Sequence, residues 1–248
     1  ESRLDNCNCG TGQKIQTCMV RTKSKGKASF LKFLVDTSAR RLREMLESPQ
    51  GKALIAGQLL TPLTGYRNWE GVCAGDNGAY SGLDRRKFLR FCKRQESFID
   101  LFRFLAMPDC VGNARRTNEL YRYFIELPEL QPWRHKWAYV AQDGLEDMDI
   151  NWSSINALFI GGTNEFKDSA SAYDICKTAK AMNVYTHVGR VNQWKRYKQF
   201  MDLGCDSCDG SGVSKYDDKL IKIYYELTGK TPVKRGGVGG FPIQWELV

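Results

Sequence analysis

Short apolar runs rich in β-branched and aromatic residues recur along the chain. Each closes in a polar or glycine-bearing turn, and most are followed by a stretch with helical periodicity. Eight runs can be counted, over 30–35, 53–56, 71–75, 101–107, 137–141, 157–160, 184–188 and 205–208. Amphipathic helices fit 37–47, 83–97, 113–127, 169–181, 192–203 and 217–227. Between the fifth and sixth runs only 143–156 is available, so that crossover is expected to be short or irregular. Runs that are apolar throughout are what parallel strands covered on both faces require. Eight strand–helix units within 248 residues therefore predict an α/β chain folded as a compact (β/α)8 TIM barrel. A doubly wound sheet would advertise a glycine-rich phosphate turn after its first strand. Gly10 and Gly12 lack the third glycine, and no GxxxxGK[ST] occurs. The predicted division is an N-terminal basic, cysteine-containing extension over 1–29, the barrel over 30–228 and a glycine-rich tail over 229–248.

Composition narrows the class. With 42% apolar, 26% charged and 12% aromatic residues the chain can build a core and does not read as disordered. No apolar run approaches the roughly 18–20 residues of a bilayer span, so a soluble protein with no membrane partner is expected. Residues 1–10 are polar, which argues against a secretory signal, although a cleaved leader stays open because position 1 is not Met. Nine cysteines, an odd count spread over the whole length, read as reduced thiols and a cytoplasmic protein. Cys7, Cys9 and Cys18 are too few for a structural zinc site, and neither His135 nor His187 is near them in sequence, so a reduced loop is preferred. Cys205 and Cys208 form a C-x-x-C on a predicted strand, where residues three apart face opposite ways, which disfavours a redox pair.

A net charge of +9 points to an anionic partner. Arg21, Lys23, Lys25 and Lys27 crowd one early segment. Arg85, Arg86, Lys87 and Arg90, with Lys93 and Arg94, crowd one predicted helix, where they can track phosphates or simply form its solvated face.

In a barrel of this kind chemistry gathers at the C-terminal ends of the strands. The third run leads into Asp76-Asn77-Gly78-Ala79-Tyr80, the fourth into Pro108-Asp109 and the fifth into Gln142-Asp143-Gly144. The sixth leads into Gly161-Gly162, the seventh ends His187-Val188-Gly189-Arg190 and the eighth leads into Asp209-Gly210-Ser211-Gly212. Each piece alone is an ordinary turn or helix cap. Acids after the third, fourth and eighth strands of one barrel, with an amide and bare backbone N–H groups, instead suggest acid/base and nucleophilic work at a sugar carbon. With only two histidines, HExxH zinc chemistry is excluded.

From about residue 70 to 215 these segments also resemble, in order, the motifs of the tRNA-guanine transglycosylase superfamily, which exchanges guanine for a 7-deazaguanine. Gly75-Asp76-Asn77-Gly78-Ala79-Tyr80 is similar to its S-D-S-G-G-[FY] motif, and Tyr139-Val140-Ala141-Gln142-Asp143-Gly144 to its V-Q-G-G strand. Phe159-Ile160-Gly161-Gly162 resembles its I-G-G loop and Val188-Gly189 its M-G-x-G segment. Gly204-Cys205-Asp206-Ser207-Cys208-Asp209 resembles its nucleophile strand. The resemblance implies that Asp209 attacks the sugar C1′ and that Asp76 serves as acid and base. It implies that Asp109 accepts from guanine N1–H and the 2-amino group, that Gln142 and the Gly162 N–H donate to O6 with Gly161 beside them, and that Tyr80 and Val188 wall the ring beside Gly189. No cofactor or metal is implied, and Arg190 joins Arg85, Arg86, Lys87 and Arg90 as expected nucleic-acid contacts.

Departures bear on the partner. No cysteine follows Cys208, so the zinc subdomain of tRNA-type enzymes has no counterpart, and Asn77 and Ala79 replace Ser and Gly. These features look more like the compact branch of phages and bacterial genomic islands, which inserts 7-deazaguanines into DNA to evade restriction. DNA with a free 7-deazaguanine base is the expected partner pair, and tRNA is the alternative. A non-catalytic nucleic-acid-binding barrel and a nucleoside or glycoside hydrolase also stay open.

Overall fold

A computed structural model describes residues 30–65, 67–69, 71–229, 233–234 and 245–246. The strands are β1 (Lys32–Val35), β2 (Ile55–Leu60), β3 (Cys73–Gly75), β4 (Phe102–Ala106), β5 (Trp137–Ala141), β6 (Ala157–Ile160), β7 (Tyr185–Val188) and β8 (Ser207–Cys208). They form a closed barrel in chain order, each pairing parallel with the next. β1 pairs with β8 through Lys32↔Ser207 and Phe33↔Cys208 to complete the ring.

Around it lie α1 (Ala39–Glu47), α2 (Pro49–Leu54), α3 (Arg85–Gln95), α4 (Ala114–Ile125), α5 (Asn164–Lys167), α6 (Ala170–Ala181), α7 (Trp194–Asp202), α8 (Ser211–Lys215) and α9 (Asp217–Thr228). Their starts are written in the sequence. Ser38, Asp84, Asn113, Thr163 and Ser169 each accept a hydrogen bond from a first-turn N–H, capping α1, α3, α4, α5 and α6. The crossover from β5 to β6 carries only two three-residue 3-10 turns, Leu145–Asp147 and Trp152–Ser154, as its length requires. Beyond the barrel, β9 (Val233–Lys234) pairs antiparallel with β10 (Trp245–Glu246).

Strand alternation builds two apolar layers. Leu34, Leu59, Ala74, Phe104, Ala106, Ala138, Val140, Ala157 and Phe159 pack inside the barrel. Phe33, Val35, Leu105, Tyr139, Ala141, Leu158, Ile160 and Val188 face the helices. Among the described residues no helix is long and apolar enough to cross a membrane.

β1, β3 and β8 each begin two residues later than expected, and β2 is displaced. β2 begins at Ile55, not 53, because Ser48 and Pro49 start a short helix that consumes Ala53 and Leu54; the Ser48 hydroxyl caps it from the Gly51 N–H at 3.0 Å. The strand then runs on through Gly57 and Gln58, residues that interrupt an apolar run. Gln58 is fully buried and donates to the Thr37 carbonyl at 2.7 Å and the Arg67 carbonyl at 3.1 Å. The eighth strand is shorter than expected, so Cys205 precedes it. Its Sγ lies 3.1 Å from that of Cys176 on α6, and the C-x-x-C spacing carries no pair of its own. Cys7, Cys9, Cys18 and the basic segment 21–27 lie outside the described residues.

Gly57 marks a close backbone approach, since a Cβ there would stand 1.9 Å from the Val72 carbonyl oxygen. Gly57→Ala is expected to destabilise the barrel by about 1–3 kcal/mol through overpacking. A fall in denaturant midpoint at unchanged slope checks this.

Candidate active site

The inward-facing positions just beyond the barrel layer line one pocket at the C-terminal mouth. It is bounded by Asp76 and Asn77 after β3, Asp109 after β4, Gln142 after β5, Gly161 and Gly162 after β6, Gly189 and Arg190 after β7 and Asp209 after β8. Ala106, Val140 and Phe159 form its floor, and the space amounts to about 470 Å³ with its opening to solvent. Asp76 and Asp209 therefore share one cavity although 133 residues separate them in the chain.

On one wall Asp109 is buried at 7% exposure. Asn77 Nδ2 donates to its Oδ1 at 2.7 Å, and Gln142 Nε2 donates to its Oδ2. Both amides are themselves fixed. Asn77 also donates to the Met107 carbonyl at 2.7 Å and accepts the Ala79 N–H at 2.7 Å, while Gln142 Oε1 accepts the Gly112 N–H at 2.8 Å. Burial pushes the Asp109 carboxyl up to about 6, against the two amide donors. Each carboxyl oxygen keeps a free lone pair for a ligand edge that presents two donors.

The next wall is a bare turn. Gly162 sits at φ +78°, where a Cβ would also meet Phe166 at 2.5 Å and Asp143 at 2.7 Å, so glycine is required. Asp143 accepts from the Thr163 N–H at 2.9 Å and its hydroxyl at 2.5 Å, pinning the turn from behind. The Gly162 carbonyl accepts from Arg190 Nη2, and from Lys167 Nζ at 3.5 Å. Lys167 is wholly buried, and the loss of water with the Arg190 and Arg196 charges lowers its ammonium to about 8. Arg190 then crosses the mouth, its guanidinium 4.3 Å from the centroid of the Tyr80 ring. Tyr80 is 70% exposed, one face covered by that cation.

Asp209 is held on both oxygens. The Arg190 N–H donates to Oδ1 at 2.9 Å, with Arg190 itself at φ +58°, and His187 Nε2 meets Oδ2 at 3.0 Å. His187 is fully buried between Phe104 and Phe159, and its Nδ1 meets Ser207 Oγ at 2.8 Å. Tyr185 donates to that same hydroxyl at 2.8 Å. Across the pocket Asp76 Oδ1 accepts the Gly78 N–H at 3.0 Å. Removal of water raises the Asp76 carboxyl, Gly78 pulls it back and the Asp209 charge raises it again. One carboxyl thus favours its proton while the other is surrounded by donors, a division suited to acid/base and nucleophilic roles.

A further acid stands at the rim. Asp36, directly after β1, is half-buried, and its Oδ1 has no hydrogen-bond partner among the described residues. Loss of water, then Asp76 and Asp209, raise it to about 6.

Of the residues expected from sequence, Asp76, Asp109, Gln142, Gly161, Gly162, Gly189, Arg190, Tyr80 and Asp209 meet at this pocket. Val188 does not. Its side chain is buried in the layer facing the helices, because alternation along β7 turns His187 and Gly189 inward instead. Val140 and Phe159 supply the apolar surface expected from it. Arg85, Arg86, Lys87 and Arg90 lie outside the pocket on the exposed side of α3, where Lys87 pairs with Asp84 at 3.6 Å and Arg85 packs over Tyr123. Sequence reasoning missed Asp36, His187, Lys167 and the role of Asn77. Asp36 and His187 were legible as polar residues at the inner ends of apolar runs; nothing marked Lys167. Among the described residues no group of three or more His, Cys, Asp or Glu side chains is arranged to hold a metal ion.

The fold and site thus define a (β/α)8 barrel with an acid-lined pocket at the C-terminal ends of its strands. No protein-family model matches the chain, and no curated protein matches it significantly.

Because the folded protein binds a proton at Asp36 more tightly than an unfolded chain does, that group's contribution to stability is present at low pH and lost as pH rises through about 6. Asp36→Asn is expected to raise Tm by about 2–4 °C at pH 8, roughly 1 kcal/mol after solvent screening, with the gain gone by about pH 4. Thermal melts of both proteins across pH check it.

Proposed function

We propose that the protein is a pentosyltransferase that exchanges guanine in DNA for a 7-deazaguanine through a glycosyl ester on Asp209. What carries the reading is a single pocket that holds an acid favouring its proton, a donor-ringed carboxylate and, beside them, a buried carboxyl aimed at a two-donor edge. Guanine N1–H and its 2-amino group match the free lone pairs of Asp109, and O6 falls to the Gly162 N–H and the remaining Gln142 hydrogen. Adenine would set its N1 lone pair against that carboxylate, a mismatch of buried groups that selects against it. A 7-deazaguanine presents the same edge, so old and new base use the pocket in turn.

In the first half-reaction an Asp209 oxygen attacks C1′ as the C1′–N9 bond breaks; the bonding pair goes to N9, which takes the Asp76 proton. In the second, N9 of the incoming base attacks C1′, the ester's bonding pair returns to Asp209 and the N9 proton passes to Asp76. Two inversions leave the anomeric configuration unchanged. A nucleotide in a duplex must be extruded to reach this depth, and the exposed Tyr80 with half-buried Arg190 at the mouth, and the α3 cations beyond them, suit a polyanion. DNA is taken in preference to tRNA because Asn77 and Ala79 in the turn after β3 look more like the compact branch that acts on DNA.

The experiment is nucleoside mass spectrometry of DNA and tRNA treated in parallel with labelled guanine and candidate 7-deazaguanines. Label entering DNA without abasic sites supports exchange; abasic sites mean hydrolysis, label in tRNA alone means the tRNA reaction, and no change means a binding protein. Asp209→Ala is expected to abolish exchange and covalent capture of the strand, and Asp76→Asn to fold and bind DNA but turn over slowly, with a thermal melt as control. Asp109 must be ionised to accept from guanine, so kcat/KM for guanine is expected to fall about tenfold per unit below about pH 6, while discrimination against adenine narrows. Initial rates with both bases between pH 5 and 8 measure this.

A further inference from the structure

His187 is the only imidazole in the barrel wall, and it touches the proposed nucleophile rather than the space where a base would lie. Its hydrogen bonds settle where its proton sits. An ionised Asp209 can only accept, so His187 Nε2 carries a hydrogen and donates to Oδ2 at 3.0 Å. In the neutral ring Nδ1 then accepts from the Ser207 hydroxyl at 2.8 Å, and the Ser207 oxygen accepts the Tyr185 O–H at 2.8 Å. The chain Tyr185–Ser207–His187–Asp209 runs through the barrel interior from the start of β7 to the end of β8, and Phe104 and Phe159, at ring centroid distances of 4.9 and 4.7 Å, hold the imidazole in place.

Such a donor acts unequally on the two half-reactions. When Asp209 attacks C1′ it loses its negative charge, and the bond from His187 weakens. When the ester breaks, charge returns to the carboxylate and the bond strengthens, which makes Asp209 a better leaving group. The Arg190 N–H on Oδ1 holds orientation in both steps.

We propose that His187 is a positioning residue whose Nε2–H, fixed by Ser207 and Tyr185, stabilises Asp209 as it leaves C1′ and so governs release of the glycosyl enzyme. This rests on the reading of Asp209 as a covalent nucleophile. The balance is simple: the C1′–O bond breaks, its electron pair returns to Asp209 where His187 shares its proton by hydrogen bond without transferring it, and the incoming base forms C1′–N9.

The test uses His187→Leu and His187→Gln in the full chain. Leucine fills the slot between Phe104 and Phe159 and lacks a donor, whereas the glutamine amide can reach Asp209 from about the Nε2 position. Wild type and variants are mixed with a guanine-containing oligonucleotide, trapped in denaturant with and without incoming base, and the adduct is followed on a gel. Losing a hydrogen bond to a charged group predicts that the His187→Leu adduct forms but resolves at least about tenfold more slowly, so that it accumulates, while His187→Gln stays within about threefold of wild type. Ser207→Ala, which frees the ring to place its hydrogen on Nδ1 and turn a lone pair toward Asp209, is expected to fall between them. An adduct in wild type with the same lifetime in His187→Leu overturns the role of His187 alone. Equal slowing of formation and resolution in both variants, with lowered Tm, overturns it in favour of a structural part. Absence of any adduct in wild type overturns the reading of Asp209 and this role with it.

Discussion

A carboxylate taken out of water is costly by several kcal/mol unless donors replace the solvent. Asp36, Asp76, Asp109, Asp143 and Asp209 all stand at one end of this barrel, and most of the surrounding structure answers to that constraint. Asp109 receives two side-chain amides, Asp76 a turn N–H, and Asp209 a backbone N–H and an imidazole. Asp36 keeps an oxygen with no partner among the described residues, and its carboxyl rises to about 6. Desolvation and mutual repulsion raise Asp36, Asp76 and Asp109, so each takes up a proton at a higher pH than a solvated carboxylate would. A site built to hold and release protons is also one that can move them, and that links the energetics of the rim to its proposed chemistry.

How much of this was legible in the sequence depends on whether a feature is local. β5 and β6 match their expected bounds because their apolar runs are uninterrupted and end at glycine or polar residues. β2 was misplaced because Gly57 and Gln58 look like a break, although the glycine admits a neighbouring backbone and the glutamine, level with Val35 and Cys73 in the layer facing the helices, finds two carbonyls there. The site residues could be gathered from strand ends because a closed parallel barrel brings those ends together whatever lies between them. Val188 failed for the same reason that His187 was missed: a shift of one residue along a strand exchanges its two faces. Lys167 left no trace, since a lysine on a short helix reads as solvent-facing until the turn it supports is seen.

The rim divides by neighbour order into two sectors. From β3 to β7 the loops present the amides, glycines and Asp109 that suit a flat heterocycle, with Arg190 and Tyr80 closing over it. From β8 through β1 to β2 they present Asp209, Asp36 and the Thr61–Thr64 turn, in which the two hydroxyls lie 3.1 Å apart. Asp76 and Asp209 stand where the sectors meet. A glycosidic bond laid across that boundary would put its base in the first sector and its sugar in the second, with the scissile bond between the two acids. Asp36 would then share the sugar side, where its charge, when present, favours the positive character that develops at C1′.

The turn after β3 ties recognition to proton transfer. Asp76 and Asn77 are adjacent, and the turn uses each side chain to hold itself, Asp76 by the Gly78 N–H and Asn77 by the Ala79 N–H. Asn77 then reaches Asp109 through its other end. A ligand that shifts Asp109 therefore pulls on Asn77, and through it on the backbone that orients Asp76. A base lacking two donors would leave Asp109 and Asn77 as they are, whereas a matching edge takes the free lone pairs of the same carboxyl and draws it toward the base. Selectivity in such an arrangement comes from the positioning of the acid as well as from binding, because Asp76 can be set for proton transfer only as well as its neighbour is set by the base.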